Sequence, residues 1–440
     1  MSNDVKKKVL LLDFAQETNS GDDVMQRAII ELCGKNMDSD FSITSYFGVN
    51  EFFYAKGEFK GYRNDYSLSA HGGFYPTLFL KPVGGLLKGI SASRNILRLF
   101  YASWFLMIIS LLRVKVPLFI VKFFLTSAQI VALEEYRSSD LIIWNGRNFR
   151  GSEGFSEALK IFELCANPML CMLLGKPIVC VGSSVWTLNS PISRYLMRWV
   201  VKHSKSFIVR EKSSYHYIKE DLFLDEGCKS LQYMPDLSFY FLNKIVTQKK
   251  YEFSDKFTGV VAITLVGRRE FSDDKIHKNY IKAISDLIEY ICRLNYKIRV
   301  IPQVTYGLES YDEELECIMN QNCDADIEVI SGVLSTEGLL MEYLYSDVLV
   351  ASRMHSAIFA SSVGTPVSAI SYDSGAKWAI LDDLGIDRSL IVSVNDITSS
   401  LLIENFDKAR LLGKLQGTVH RVELLSDEIE IVFKKLADML

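Results

Sequence analysis

Short apolar runs alternate with helix-periodic stretches along most of the chain. Val9–Phe14 is one such run, followed by a polar turn over Gln16–Gly21. Asp22–Leu32 then places Val24, Ala28 and Ile29 on one helical face. Asp140–Trp144, Ile178–Val181 and Phe207–Val209 repeat the strand pattern, and a helix around Ser193–His203 aligns Tyr195, Leu196 and Trp199. After a polar segment, Asn243–Thr258, the alternation restarts with strands at Val260–Leu265, Ile298–Ile301 and Ile327–Ile330. Between them, Lys275–Leu294 carries Ile281, Ile284, Leu287, Ile288 and Ile291 in helical phase, and Tyr311–Asn320 and Thr336–Tyr345 are also helical. Strands that are apolar on both faces and alternate with helices predict parallel sheets in an α/β chain. The polar segment near 250 reads as a linker between two such domains.

The segment Asp347–Tyr372 concentrates the chemistry of the second half. Asp347–Ala351 is a Val-rich strand, Ser352 is a helix-capping type, and Gly364-Thr365-Pro366 ends the helix before the strand Val367–Ile370. Arg353 and His355 therefore fall in the first helical turn at the carboxyl end of a strand. Free backbone N–H groups and the helix dipole favour an anion there, so a phosphate or carboxylate site is expected. The alternative is that both are solvated surface residues. Arg210 repeats the geometry, a guanidinium between a strand and a helix start, with an ion pair to Glu211 or Glu220 as its competing reading.

Two stretches break the alternation. Residues 50–77 mix aromatics, glycines and polar groups without a period and read as a loop or insertion. Leu99–Leu112 has no charged residue, with Arg94 and Arg98 before it and Arg113, Lys115 and Lys122 after. As a helix it spans about 21 Å, short of the roughly 30 Å hydrocarbon core, so it is not expected to cross a membrane. Two readings stay open: burial against a sheet, or peripheral contact with a membrane interface.

At 440 residues the chain can hold two α/β domains with full cores. A formal net charge of -4 and no long basic run argue against a nucleic-acid partner. Eight cysteines without a C-x-x-C pair read as reduced core residues, and no DxD or HExxH motif points to a metal. G-x-G-x-x-G and Walker motifs are absent. The three lysines near the N-terminus precede only a strand-length apolar run, unlike a signal peptide, so a cytoplasmic chain is expected.

Ser352-Arg353-Met354-His355-Ser356, with Gly364-Thr365-Pro366 and Ile370-Ser371-Tyr372-Asp373, resembles the C-terminal signature of the polysaccharide pyruvyl transferases. Asn19-Ser20-Gly21-Asp22-Asp23 resembles that family's N-terminal Asn-x-Gly-Asp element, and Gly175-Lys176-Pro177, Pro235-Asp236 and Pro302-Gln303 also match. The resemblance implies a GT-B-like α/β fold: two Rossmann-like domains facing a cleft, each with a parallel sheet. Residues 1–245 are then the N-terminal, acceptor-side domain, with an apolar helical insertion at about 78–133. Residues 246–395 are the donor-side domain, and 396–440 are terminal helices packing back on the first. It further implies transfer of the enolpyruvyl unit of phosphoenolpyruvate to a sugar of a surface polysaccharide or its lipid-linked precursor, closing a pyruvate ketal. The donor is a co-substrate, and no cofactor is expected.

A three-carbon acid phosphate needs two cationic clamps, and Arg suits carboxylate and phosphate bidentately. Arg353 and Arg210, one per domain, are the candidates, with Ser352, Met354, Ser356 and Lys377 beside the donor. His355 is the candidate acid or base, and Asp22 a candidate base toward a sugar hydroxyl, with a plain helix N-cap as its alternative. Gly21 allows close backbone approach to a ligand. Asn19, Gly21, Asp23 and Arg147 are the acceptor-side candidates. Relatives carry a glycine triplet where this chain has only Gly146, and a lysine where Gly375 stands. A GT-B nucleotide-sugar glycosyltransferase and a non-catalytic carbohydrate-binding relative are the competing functions.

Overall fold

Mostly apolar runs of two to eight residues become the strands of two all-parallel sheets, one in each of two units. This computed structural model describes residues 6–14, 20–45, 68–72, 91–152, 154–223, 228–249, 257–271, 273–303, 311–322, 325–332, 334–372 and 377–438. Met1–Gln16, Ile30–Met234 and Phe433–Leu440 form the first unit; Glu17–Ile29 and Pro235–Val432 form the second. The chain thus passes to the second unit at Pro235, ahead of the boundary near 245 expected from sequence, and the first half of one helix also belongs there. The solid reason is composition: Ser238–Val246 is largely apolar and buried, so the start of the supposed linker is helix.

In the first unit β1 (Lys7–Phe14) leads through α1 (Ser20–Asn36) to β2 (Ser39–Ser45) and β3 (Leu68–Gly72). The helices α2 (Ser91–Arg113), α3 (Leu118–Lys122) and α4 (Ser127–Ser138) follow. Next come β4 (Leu141–Asn145), β5 (Asn148–Phe149), α5 (Phe155–Leu173), β6 (Ile178–Val185) and α6 (Pro191–His203). β7 (Ser206–Val209), α7 (Lys212–His216), a π-helical turn over Tyr217–Leu222, and β8 (Leu231–Tyr233) complete it. The strand order is β3-β2-β1-β4-β6-β7-β8, with β5 paired to β6. The 50–77 stretch was expected to be loop throughout; its end supplies β3, an edge strand beside β2, and the rest lies outside the described residues.

Helix α5 is buried at every position from Glu157 to Cys171 except Lys160, as its largely apolar sequence requires. It is flanked by α2 and α6. Ala102, Phe105 and Ile108 of α2 join the core, and the rings of Phe105 and Phe162 meet edge-on at 5.8 Å. Arg98 Nε reaches Glu163 Oε2 at 3.0 Å. The apolar stretch 99–112 is therefore buried on one face, as one expected reading has it, and open to solvent on the other. Among the described residues no helix is long and apolar enough to cross a membrane.

The second unit runs α8 (Ser238–Lys249), β9 (Val260–Thr264), α9 (Asp274–Arg293), β10 (Lys297–Val300), α10 (Asp312–Gln321) and β11 (Ile327–Val329). It continues with α11 (Thr336–Leu344), β12 (Val348–Ala351), α12 (Met354–Ser362), β13 (Val367–Ser371), β14 (Ile391–Ser393), α13 (Ser399–Leu412) and α14 (Gln416–Ala437). Asp273, Ser335 and Thr398 cap α9, α11 and α13 by accepting from the backbone of the third residue on. Gly364, at φ 73°, ends α12 in the left-handed conformation that a Cβ would strain. The strand order is β11-β10-β9-β12-β13-β14.

Candidate functional site

In the second sheet the chain order reverses between β9 and β12: β10 and β11 lie to one side, β13 and β14 to the other. Connections leave such a point in opposite directions, opening a crevice at the carboxyl ends of the strands. β12 ends there, and Arg353 takes the N-cap of α12 with φ -121° and ψ 129°, making no side-chain capping bond. Ser352 was expected to cap this helix and does not. The helix opens one residue later, and the buried Ser352 hydroxyl pairs with Tyr280 Oη at 3.0 Å. Burial pushes the Tyr280 phenol up to about 12, so it keeps its proton at neutral pH. Ser352 N also donates to Thr264 Oγ1 at 3.2 Å, locking the ends of β9 and β12 together.

His355 lies in the first turn of α12 and is 8 % exposed. Its ring rests against the first turn of α1, because a Cβ at Gly21 would stand 2.1 Å from Nδ1 and 2.3 Å from Cγ. Gly21 thus makes room for the imidazole, where a ligand was expected. Ser20 Oγ donates to the Gln303 carbonyl at 3.3 Å. Gln303 Oε1 in turn accepts from Tyr343 Oη at 3.0 Å and Ser356 Oγ at 3.1 Å. Two helix N-termini therefore converge past the ends of β10 and β12. Both bring the positive end of a helix dipole, and Arg353 adds a guanidinium. Its Nε donates to the Leu265 carbonyl at 3.4 Å. The arrangement suits a small anion.

The other residues singled out from sequence divide around this point. Ser352, Met354 and Ser356 are buried, as are Arg353 at 7 % and His355 at 8 % exposure. Asn19 lies outside the described residues, as does Gly375. Lys377 opens a 3-10 turn, Lys377–Asp382, but its side chain also lies outside the description. Asp22 and Asp23 sit inside α1, which already begins at Ser20, so Asp22 is no cap. Asp23 Oδ2 pairs with Arg27 Nε at 2.8 Å, and the Asp22 carbonyl accepts from Gln26 Nε2 at 3.0 Å.

The first sheet has its own reversal, between β1 and β4. Asp13, near the end of β1, is buried at φ 60°, a backbone conformation rare for a residue other than glycine. Its Oδ1 accepts from Asn167 Nδ2 at 2.8 Å, and its carbonyl accepts from Arg147 Nη2. Burial pushes the Asp13 carboxyl up, against the opposing pull of the Arg147 charge and the Asn167 bond. Gly146 is required by packing, since a Cβ there would come within 2.4 Å of Ser183 N. Asp13 escaped the sequence pattern; a lone carboxylate closing an apolar strand was its one signal.

Arg210 departs from the exposed clamp expected of it. It is 2 % exposed, with Nε donating to Ser184 Oγ at 2.8 Å and Glu211 Oε1 at 3.0 Å, and Nη2 to Asn148 Oδ1 at 2.9 Å. Glu211 is itself buried and accepts from Ser184 and Ser214. The ion pair to Glu211 of the competing reading is therefore present, and because it is buried in a hydrogen-bonded network it is not the weak exposed kind.

The model of the family described as "Polysaccharide pyruvyl transferase" matches residues 29–374. The chain belongs to the polysaccharide pyruvyl transferase family. The matched span holds Arg210, Gln303, Arg353 and His355 and begins just after the Asn19–Asp23 element. A search of curated proteins finds no match. Among solved structures, the chain is similar to a glycosyltransferase from Rickettsia africae (10 % identity, TM-score 0.53, 98 % of each chain covered). It is also similar to a putative UDP-N-acetylglucosamine 2-epimerase from Listeria monocytogenes (11 %, TM-score 0.52, covering 98 % of this chain and 97 % of that one). A UDP-GlcNAc 2-epimerase from Neisseria meningitidis, bound to UDP-GlcNAc, gives 13 % identity and a TM-score of 0.50 over 96 % of this chain and 99 % of its own. At such identities the likeness carries the fold alone: this pyruvyl transferase family member has two Rossmann-like domains of GT-B type.

Proposed function

We propose that this chain transfers the pyruvyl unit of phosphoenolpyruvate to a sugar of a surface polysaccharide or of its lipid-linked precursor. The observation that carries the reading is the convergence of Arg353 and His355 with two helix N-termini at the reversal point of the second sheet. The donor's carboxylate and phosphate are carried on one carbon of a small molecule, a match for a forked guanidinium beside two helix N-termini. Arg353 grips the anion. His355 supplies a proton, to the methylene carbon as a sugar hydroxyl adds at the neighbouring carbon, or to the departing phosphate. A second hydroxyl of the same sugar then takes the place of phosphate at that carbon, which closes the ketal and releases inorganic phosphate. Asp22 serves as base toward a sugar hydroxyl, and Arg147 belongs to the acceptor side. Arg210, neutralised by Glu211, acts by position rather than as a clamp.

Phosphate release measured with phosphoenolpyruvate, with candidate oligosaccharides and with both is the test. Release that requires both, a matching mass increase on the glycan, and loss of turnover in His355→Ala are the expected results. A melting temperature raised by UDP-sugars and not by phosphoenolpyruvate would instead identify a nucleotide-sugar glycosyltransferase. Glycan binding without any turnover would identify a carbohydrate-binding relative.

A further inference from the structure

The outward face of α2 is apolar where a helix on a soluble unit is ordinarily polar. Leu99, Phe100, Leu106 and Met107 recur at helical spacing and are all exposed, Phe100 to 65 %. The polar members of the same stripe are Ser103 and Ser110. Each turns its hydroxyl back to the carbonyl four residues earlier, at 2.8 Å, and so spends its proton within the helix. The chain then folds back through α3, where Trp104 Nε1 of α2 donates to the Phe124 carbonyl at 3.4 Å. Phe119 and Phe123 are 67 % and 84 % exposed on this second arm. Arg113 and Lys115 stand exposed at the bend between the arms. Between Asp65 and Glu134 the sequence holds seven lysines and arginines and no carboxylate. Of these Arg98 is paired with Glu163 and Lys122 with Glu134, which leaves Arg113 and Lys115 as the exposed cations of the hairpin's bend.

We infer that the α2–α3 hairpin is a docking surface for an anionic phospholipid bilayer, lying in the interface with its aromatic side chains among the upper acyl chains. Both readings that the sequence left open are thereby used: the inner face of α2 fills the core, and the outer face takes the lipid. Charge decides the occupant. A second copy presenting this same face brings cations against cations, whereas an anionic headgroup layer attracts them. Apolar area and cations together are the two contributions from which stable interfacial binding is built. The surface goes beyond the transfer reaction and needs neither donor nor acceptor, so it stands or falls separately from the pyruvyl assignment.

Vesicle flotation of the full chain tests this, with phosphatidylcholine alone and with phosphatidylcholine mixed with phosphatidylglycerol. The wild type is expected to float with the mixed vesicles and far less with the neutral ones, and to be released by salt. Phe119→Ser combined with Phe123→Ser is expected to weaken binding at least about tenfold at unchanged melting temperature, because both rings are exposed. Arg113→Glu combined with Lys115→Glu is expected to remove the preference for phosphatidylglycerol, at about fivefold per charge. Absence of flotation, equal flotation of wild type and the phenylalanine variant, or sedimentation showing a dimer that the phenylalanine variant dissolves would each overturn the inference.

Discussion

Gly21 shows how one missing Cβ can organise a site. The imidazole of His355 occupies the space that any larger residue there would claim. Gly21→Ala is therefore expected to displace the ring or the first turn of α1, at about 1–3 kcal/mol of stability. Thermal unfolding measures that cost, and phosphoenolpyruvate affinity should fall with it. Asp13 makes the opposite case, a buried carboxyl whose proton is held more tightly in the fold than in the open chain. Its stabilising contribution is full below the unfolded carboxylate value and is lost as pH rises through the raised folded value. Asp13→Asn, which keeps an acceptor for Asn167, should thus raise the melting temperature at neutral pH and flatten its acid dependence. Neither effect was legible beforehand. Arg353 and His355 stood out because residue type and local period sufficed, whereas the Gly21 contact and the Asp13 backbone depend on partners far away in sequence.

At the level of elements, most central strands and the helices α1, α6, α9, α10 and α11 followed from periodicity, because burial on both faces of a parallel sheet leaves continuous apolar runs. Helix α5, by contrast, was not anticipated, and the end of α8 was read as linker. β2 escaped because SDFSITS is polar on alternate positions and short of aliphatics, and β3 because it is an edge strand inside a turn-rich stretch. The start of α12 shifted by a residue when Tyr280 captured the hydroxyl of Ser352, a competition no local window contains. α2 was ambiguous for a physical reason, since both of its faces are apolar. Its hold on α5 includes one ion pair, in which Arg98 compensates a carboxylate that is otherwise buried. Arg98→Ala is expected to lower the melting temperature by the equivalent of about 3–5 kcal/mol, because it removes one partner of an ion pair whose carboxylate is buried. Arg98→Met with Glu163→Leu should recover most of that loss; a double variant as unstable as the single would point to packing instead.

At the scale of the whole molecule, the GT-B architecture is shared with epimerases and glycosyltransferases, so fold alone does not choose a donor. Family membership narrows the chemistry, and the proposed site for it is the second sheet's reversal point. The ordinary expectation for a GT-B chain is a nucleotide-sugar, whereas the proposed donor is a much smaller anion held by Arg353 and the two helix ends. UDP-GlcNAc is accordingly expected to leave the melting temperature unchanged while phosphoenolpyruvate raises it. Direct titration of phosphoenolpyruvate into the wild type and Arg353→Ala is the most decisive measurement. Saturable binding to the wild type, weakened about a hundredfold or more in a variant that is still folded, is the expected result. Equal affinity in both proteins would remove Arg353 from the donor site and the proposed reaction with it.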